Sequence, residues 1–185
     1  MTSDWCALYR QFTAVDGAYR RGDLDALKEA LGDPEGFPNC LLPFDLAVGD
    51  HPLEYAIAWS PLPFVQTLLE IGADPNYPAQ DGFPSLIEAL AADRPDRHAI
   101  LGLLLDFGAD VQQRGHNDWT PLHYAVVRRD LTAVTLLLAR GADPEARTRI
   151  DECSTPLEDA EAIGFTKAVA LLRDAHSRSC SGRDA

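Results

Sequence analysis

Histidine, cysteine and carboxylate side chains are the groups of this sequence that could catalyse a reaction or bind a metal. His116 and His123 are separated by six residues and fall on different predicted elements, so we do not expect them to share a metal ion. The sequence lacks a phosphate-binding glycine loop and the G-x-S-x-G and H-E-x-x-H motifs. No pair of cysteines has the spacing of a metal or redox motif, which predicts free thiols (Cys6, Cys40, Cys153 and Cys180). We therefore expect no catalytic residues, metal or cofactor.

His123 lies in a stretch with strong signals for a pair of helices. Thr120 can cap a helix, and Pro121 suits the first helical position because its missing N–H needs no partner there. Apolar residues recur at helical spacing through two helices, the second of which ends at Gly141 (Leu122, Ala125 and Val126, then Leu131, Val134, Leu137 and Leu138). A helix pair this short cannot bury its own apolar face, so it needs copies beside it.

Copies of this stretch recur along the chain. The leucine of Thr-Pro-Leu-His has counterparts at successive steps of 33, 36 and 35 residues (Leu53, Leu86, Leu122 and Leu157). A second marker, Gly-Ala-Asp, is repeated in parallel at 72–74, 108–110 and 141–143. Two independent markers in one register indicate a repeat protein.

These residues resemble the ankyrin repeat, whose signature includes T-P-L-H-x-A at a period of about 33 residues. The resemblance covers roughly residues 12–174 and is closest at 115–147. It implies an all-α solenoid of helix–turn–helix units with finger loops, about five repeats including degenerate terminal caps. It also implies structural roles, with the histidine bonded to the neighbouring backbone (Thr120, Pro121, His123, Gly72, Gly108 and Gly141).

The repeat register also predicts how the chain is divided. Residues 1–174 form one predicted domain, and the small, polar residues 175–185 form a predicted disordered tail. Ser85 with Glu88, and Thr155 with Glu158, have the spacing of a capping box, so we expect capped helices in those units. An entry helix is followed by five units (3–12, then 12–50, 51–83, 84–119, 120–154 and 155–174).

Residues 32–50 form a connection rich in glycine and proline. It runs 20 residues from Leu31 to His51, where the repeat register allows about 15. Two interpretations remain open. The segment is either an enlarged finger that binds a partner, or a packed loop that covers the first repeats with its apolar residues (Phe37, Leu41, Leu42 and Phe44).

The charge of the chain restricts its partners. The formal net charge is −13, so nucleic acid and anionic membranes would be repelled. Between Lys28 and Arg94 there are eleven acids and no lysine or arginine, which predicts a negative field over part of the solenoid. The first residues carry Asp4 and Arg10 and lack the apolar run of a signal peptide, and no segment is apolar enough to span a membrane. We expect a cytoplasmic protein.

The resemblance also suggests a binding surface. In ankyrin-type proteins the finger tips and the exposed side of the first helix recognise partners. Here those positions carry aromatic residues and arginine, which dominate binding hot spots, together with acids. We predict six partner-binding residues (Asp50, Glu54, Trp59, Phe83, Trp119 and Arg128). The alternative is that Trp119 packs on the next finger and Trp59 on the neighbouring helix.

The function that follows is a non-enzymatic module for protein–protein interaction. We expect a monomer when unbound, and a protein partner with a basic patch rather than nucleic acid or a membrane. Two alternatives stay open: a dedicated inhibitor or immunity-type protein that blocks a basic enzyme or toxin, and a structural subunit of a larger assembly.

Overall fold

The computed structural model describes residues 2–42, 51–79, 82–150 and 153–181. This part of the chain forms ten α-helices and a single 3-10 turn, and contains no β-strand. The all-α prediction is therefore confirmed. The helices divide into two compact units, Met1–Asp81 and Gly82–Ala185.

The first unit is built from two helix pairs. Asp23 caps the second helix by accepting a hydrogen bond from the Ala26 N–H at 3.0 Å. The predicted boundary near residue 12 is wrong, because the entry helix and the first helix of the repeat are continuous. The helix runs through Gly17 without interruption and ends before Gly22, whose φ is +68°. The four helices are α1 (Thr2–Arg21), α2 (Leu24–Leu31), α3 (Pro52–Trp59) and α4 (Leu62–Glu70).

The second unit repeats the same arrangement three times. Its first helices contact each other in the order α5, α7, α9, and its second helices in the order α6, α8, α10. Buried leucine, isoleucine and valine side chains fill the space between these two layers (Leu86, Ile100, Leu104, Leu122, Val134, Leu137 and Leu172). The helices are α5 (Ser85–Ala91), α6 (Arg97–Asp106), α7 (Pro121–Val127), α8 (Leu131–Ala139), α9 (Pro156–Ala162) and α10 (Thr166–Ser181).

Helices α7 and α9 both begin at a capping box. The Thr155 hydroxyl accepts from the Glu158 N–H at 3.2 Å, while the Glu158 carboxylate accepts from the Thr155 N–H at 2.8 Å. Thr120 and His123 make the corresponding pair in α7. These bonds satisfy amide groups that a helix start leaves without partners.

Helix α5 departs from the predicted capping box. Pro84 occupies the cap position, and Ser85 is the first helical residue, where Pro121 and Pro156 stand in the other units. The Ser85 hydroxyl is therefore buried and makes no hydrogen bond within the described residues. The Ser85–Glu88 box predicted from spacing is wrong because the cap lies one residue earlier.

Glycines end the second helices where the chain turns toward the next finger. Gly141 has a φ of +85°, in the left-handed region, and its N–H donates to the Leu138 carbonyl at 3.2 Å. The next amide, Ala142, donates to Leu137 at 3.0 Å. Gly72 and Gly108 have the same left-handed backbone, with φ of +97° and +87°. After each of these turns the chain continues into the next finger.

The described part of the long connection, residues 32–42, packs on the first unit. Asn39 fixes it to the turn after α4, because its amide donates to the Gly72 carbonyl at 2.9 Å and accepts from the Asp74 N–H at 2.7 Å. Pro38 and Leu42 are buried. These contacts favour the packed-loop interpretation for this part, while residues 43–50, including Phe44, lie outside the described residues.

The last helix extends further than the sequence predicted. Helix α10 continues to Ser181, so residues 175–181 are helical rather than disordered. Leu172 anchors the helix in the core. Beyond it, contacts between residues four apart stabilise the last turns. Arg178 pairs with Asp174 at 2.9 Å, and the Ser177 hydroxyl donates to the Arg173 carbonyl at 2.9 Å. A small, polar composition therefore did not prevent helix formation once the preceding turns were anchored.

Candidate partner-binding groove

Trp119 closes a tight finger before α7. The finger turns through His116–Asp118, and the Gly115 N–H donates to the Trp119 carbonyl at 2.9 Å. The indole is half-buried, with its ring centroid 6.2 Å from that of Tyr124 and the planes at 66°. This edge contact orients the indole and leaves part of its surface to solvent.

Asp118 joins this finger to the next one. Its carboxylate accepts from the Arg149 guanidinium at 2.6 Å, from the Arg149 N–H at 2.7 Å and from Arg114 at 2.7 Å. The hydrogen bonds and charge of the two arginines lower the pKa of Asp118 to about 2, against the effect of its burial. Arg114 also donates to the Arg147 carbonyl at 2.9 Å. The finger before Trp119 is thus held by ionic hydrogen bonds.

Trp119 opens onto a groove between α7 and α9, which we call the α7–α9 groove. Its volume is about 250 Å³. The next finger forms one side of the groove. Within that finger the Thr148 N–H donates to the Ser154 carbonyl at 3.1 Å. Arg129 fixes the far end by donating to the Ile163 carbonyl. The groove is lined by one aromatic, mostly small or apolar residues and one carboxylate (Trp119, Val127, Thr148, Ser154, Asp159, Ala162 and Ile163).

His123 lies beneath this surface and is buried. Its Nε2 is 3.2 Å from the Ser154 carbonyl, which can only accept, so Nε2 carries the proton. Its Nδ1 then accepts from the Thr120 hydroxyl at 2.8 Å and the Thr120 N–H at 3.3 Å. Burial lowers the pKa of His123, which favours this neutral form. His123 therefore links a helix cap to the next finger's backbone.

Tyr124 is a surface residue that sequence reasoning missed. It follows the histidine in T-P-L-H-x-A, the variable position of the motif, and its side chain is half-exposed. Burial raises the pKa of its hydroxyl, the Arg128 charge lowers that pKa, and the Glu88 charge raises it. Arg128 itself is exposed at the end of α7. The motif leaves this position variable, which indicates a residue that the scaffold does not fix. That variability is the sequence signal that could have identified Tyr124.

Trp59 lies in the first unit, at the end of α3, and is 44% exposed. The Arg20 guanidinium lies 4.9 Å from its ring centroid. Asp16 holds Arg20 with two bonds of 2.8 and 3.0 Å, and it also accepts from the Tyr55 hydroxyl at 2.6 Å. The exposed indole is thereby held in one orientation within its own unit.

Glu54, an acidic residue of the predicted binding set, is buried within its own unit. Glu54 is only 2% exposed and caps α3, accepting from the His51 N–H at 3.4 Å. Its prediction as a partner-binding residue is wrong because it occupies the capping-box position. Phe83 is half-buried. Asp50 lies outside the described residues.

Two other kinds of site receive no support from the described residues. In that part of the chain no group of three or more histidine, cysteine or carboxylate residues could hold a metal ion. None of the described helices is both long enough and apolar enough to cross a membrane.

The repeats match a known family. Residues 80–148 fit the family model for ankyrin repeats in three copies, and these residues include α5 to α8 and the finger that carries Trp119. Residues 80–148 of this chain are ankyrin repeats. The family prediction and the predicted solenoid of helix–turn–helix units are thereby confirmed.

Several curated proteins are similar to part of this chain. A protein named as an E3 ubiquitin-protein ligase, XBAT35 of Arabidopsis thaliana, is 33% identical over 110 residues, which is 58% of this chain and 23% of that protein. Transient receptor potential channel pyrexia of Drosophila melanogaster is 38% identical over 120 residues, 64% of this chain and 12% of the channel. The ankyrin repeat protein FPV014 of Fowlpox virus (strain NVSL) is 34% identical over 112 residues, 60% of this chain and 24% of the viral protein.

The match therefore spans less than a quarter of each of these relatives. Their names describe a ligase, a channel and a repeat protein. Ankyrin repeats generally mediate protein–protein interaction, and the family is generally a non-enzymatic module. Residues 80–148 of this chain are repeats of that class.

Proposed function

We propose that this chain binds a protein partner with a basic surface, and that the α7–α9 groove with Trp119 and Tyr124 is the centre of the contact. The observation that carries the proposal is the part-exposed indole of Trp119 held at the edge of a groove. Partly exposed tryptophan and tyrosine beside apolar surface are typical of binding hot spots. Arg128, at the end of the same helix, belongs to the proposed surface.

The rigidity of the finger supports this proposal. Asp118 is fixed by two arginines, and Trp119 contacts Tyr124, so the aromatic anchor is already oriented in the unbound chain. A pre-oriented anchor loses little conformational entropy when a partner binds. The bonds that fix the finger therefore favour recognition as well as stability.

The charge of the chain supports a basic partner. The net charge is −13, and Glu88 and Asp159 lie beside or in the proposed surface. Opposite charge accelerates encounter and suppresses wrong partners, more than it raises affinity. Trp59, in the first unit, is a further exposed aromatic residue of the chain. We infer a monomer when unbound, with no role for nucleic acid or a membrane.

An affinity capture with the purified chain as bait tests the proposal. We would compare the wild type with Trp119→Ala, and use Phe107→Ala as the matched control, because Phe107 is 39% exposed at the end of α6 in the same unit. The captured proteins would be identified by mass spectrometry at low and high salt. For the principal partner we expect Trp119→Ala to weaken binding by at least ~2 kcal/mol, while Phe107→Ala changes it little.

The identity of the captured protein decides between the possible roles. A basic protein whose binding falls with Trp119→Ala and with added salt supports the proposal, since salt screens exposed charges. If that protein is an enzyme or toxin whose activity is blocked, the role is that of a dedicated inhibitor. A stable stoichiometric complex would instead indicate a structural subunit. Binding that is indifferent to Trp119→Ala would exclude the α7–α9 groove as its centre.

A further inference from the structure

Asp159 is the charged residue that lines the α7–α9 groove. Within the described part of the chain its carboxylate makes no hydrogen bond or ion pair, whereas its neighbours on α9 are both paired. Glu158 bonds Arg147 at 3.0 Å, and Glu161 bonds Arg173 at 2.6 Å. The groove thus contains an acid whose charge is not matched by a cation of the described chain.

The nearby arginines are committed elsewhere. Arg147 is held by Glu158, and Arg149 and Arg114 are held by Asp118. Arg128 follows Val127 but is not among the residues that line the groove, and its charge acts on Tyr124. Arg129, at the far end of the groove, donates to the Ile163 carbonyl and makes no ion pair with Asp159. A cation supplied by the partner can therefore pair with Asp159.

The size and walls of the groove indicate what kind of group it takes. Its volume of about 250 Å³ is below the roughly 300–1,000 Å³ of typical small-molecule pockets, and suits a single side chain. Val127 and Ile163 give it apolar walls, and Trp119 gives it an aromatic one. A chain of methylene groups can lie against such walls while its charged end stays near a carboxylate and water.

We propose that the α7–α9 groove is a subsite for one basic side chain, arginine or lysine, of the partner. The methylene stem lies against Val127, Ile163 and Trp119, and the cationic head group pairs with Asp159. This inference rests on the proposed function, because it names the group that the partner inserts. It also explains how an acidic chain can select a particular basic segment, since the groove matches both the stem and the charge.

A random peptide library displayed on phage tests the subsite and does not require the natural partner. Peptides would be selected on the wild-type chain, and one binder would be measured by titration calorimetry against Asp159→Asn and Glu161→Gln. Glu161 is the matched control, since it is an exposed acid on the same helix and pairs with Arg173 away from the groove. Circular dichroism and thermal melting would establish that both variants fold.

We expect the selected peptides to share a basic residue at one position, and Asp159→Asn to weaken binding about five- to tenfold while Glu161→Gln leaves it within about twofold. A charge swap, with Asp159→Arg in the chain and glutamate at that peptide position, should restore much of the lost affinity. Peptides whose binding requires Trp119 but neither Asp159 nor a basic residue would overturn the subsite and leave the proposed function standing. If no selected peptide depends on Trp119, both proposals fail.

Discussion

At the scale of single residues, two tyrosines of the first unit differ in how their hydroxyls are satisfied. Tyr19 is fully buried, and its hydroxyl makes no hydrogen bond within the described residues. The Tyr55 hydroxyl donates to Asp16 at 2.6 Å, although the two rings lie only 4.6 Å apart. Replacing each tyrosine with phenylalanine keeps the ring and removes the hydroxyl. The two variants therefore compare the loss of a hydroxyl without a hydrogen bond with the loss of one that makes a hydrogen bond.

We expect Tyr19→Phe to leave the free energy of unfolding unchanged or to raise it by up to about 1 kcal/mol, because it removes a buried polar group without a partner. Tyr55→Phe should lower it by about 1–2 kcal/mol, because it removes a bond to a charged acceptor. Urea unfolding of both variants, followed by circular dichroism, measures the two values. A large loss for Tyr19→Phe would mean that its hydroxyl has a partner in the folded chain.

Asp118 gives the second unit a dependence on pH. Its pKa is about 2 in the folded chain and 3.8 as a free group. A lowered pKa stabilises the fold above pH 3.8, and this stabilisation is lost as the pH falls through about 2. We expect Asp118→Asn to cost about 2 kcal/mol at pH 7, and the gap to the wild type to shrink to about half by pH 3.

Urea titrations at both pH values would measure that gap. Asparagine tolerates the positive φ of +61° at this position, so the variant tests the charge rather than the turn. Asp106→Asn is the control, because its pair with Arg140 is exposed and should contribute less than about 1 kcal/mol. A gap that does not change between pH 7 and pH 3 would exclude Asp118 as the titrating group.

Some of the site residues are predictable from the sequence and others are not. The position of Trp119 is predictable because it directly precedes the helix cap, and a finger tip does not need an aromatic residue. Glu54 is mispredicted because a carboxylate at the third position of a helix can be drawn back to the cap amide, which composition does not reveal. Asp159 is not predictable, since its lack of a partner depends on where several arginines of other elements point.

At the scale of elements, the fingers of the second unit approach each other closely. A Cβ atom on Gly115 would lie 2.5 Å from the Gly82 carbonyl oxygen and 2.7 Å from Cδ1 of Ile87. The His116 N–H donates to that same Gly82 carbonyl at 2.7 Å. Gly115 is therefore required by the close contact of two backbone segments.

We expect Gly115→Ala to lower the stability of the chain by about 1–3 kcal/mol, because the two fingers would have to separate. Gly102, inside α6, is the matched control, since a Cβ there meets no atom within 4 Å. Gly102→Ala should raise the stability by about 0.5–1 kcal/mol through helix propensity. Thermal and urea unfolding would measure both, and a neutral Gly115→Ala would show that the fingers have room to separate.

Element boundaries show where prediction from sequence ends. Nearby residues alone predict the helix caps at Thr120 and Thr155 and the helix end at Gly141, because each depends on the chemistry of a few neighbouring residues. The fusion of the entry helix with the first repeat, and the extension of α10 to Ser181, depend on how the neighbouring turns of each helix pack. Helices continue until something stops them, and polar composition alone does not.

At the scale of the whole molecule, the repeat period is the feature that makes the fold predictable. Markers spaced by 33 to 36 residues specify similar units that can only bury their faces on each other. The same periodicity says little about the partner, because recognition depends on the few positions where the units differ. Net charge is a global property that bears on the partner, and under the proposed function it favours basic proteins as a class rather than one member.

Within α7 the residues that maintain the fold alternate with residues that face outward. Pro121, Leu122 and His123 are buried, Tyr124 is half-exposed, and Val127 is exposed. A substitution at Val127 alters a wall of the groove, and one at Tyr124 alters the surface next to Trp119, without entering the core. Such a division makes the chain evolvable, since a descendant could acquire a new partner by a single codon change while inheriting an intact scaffold.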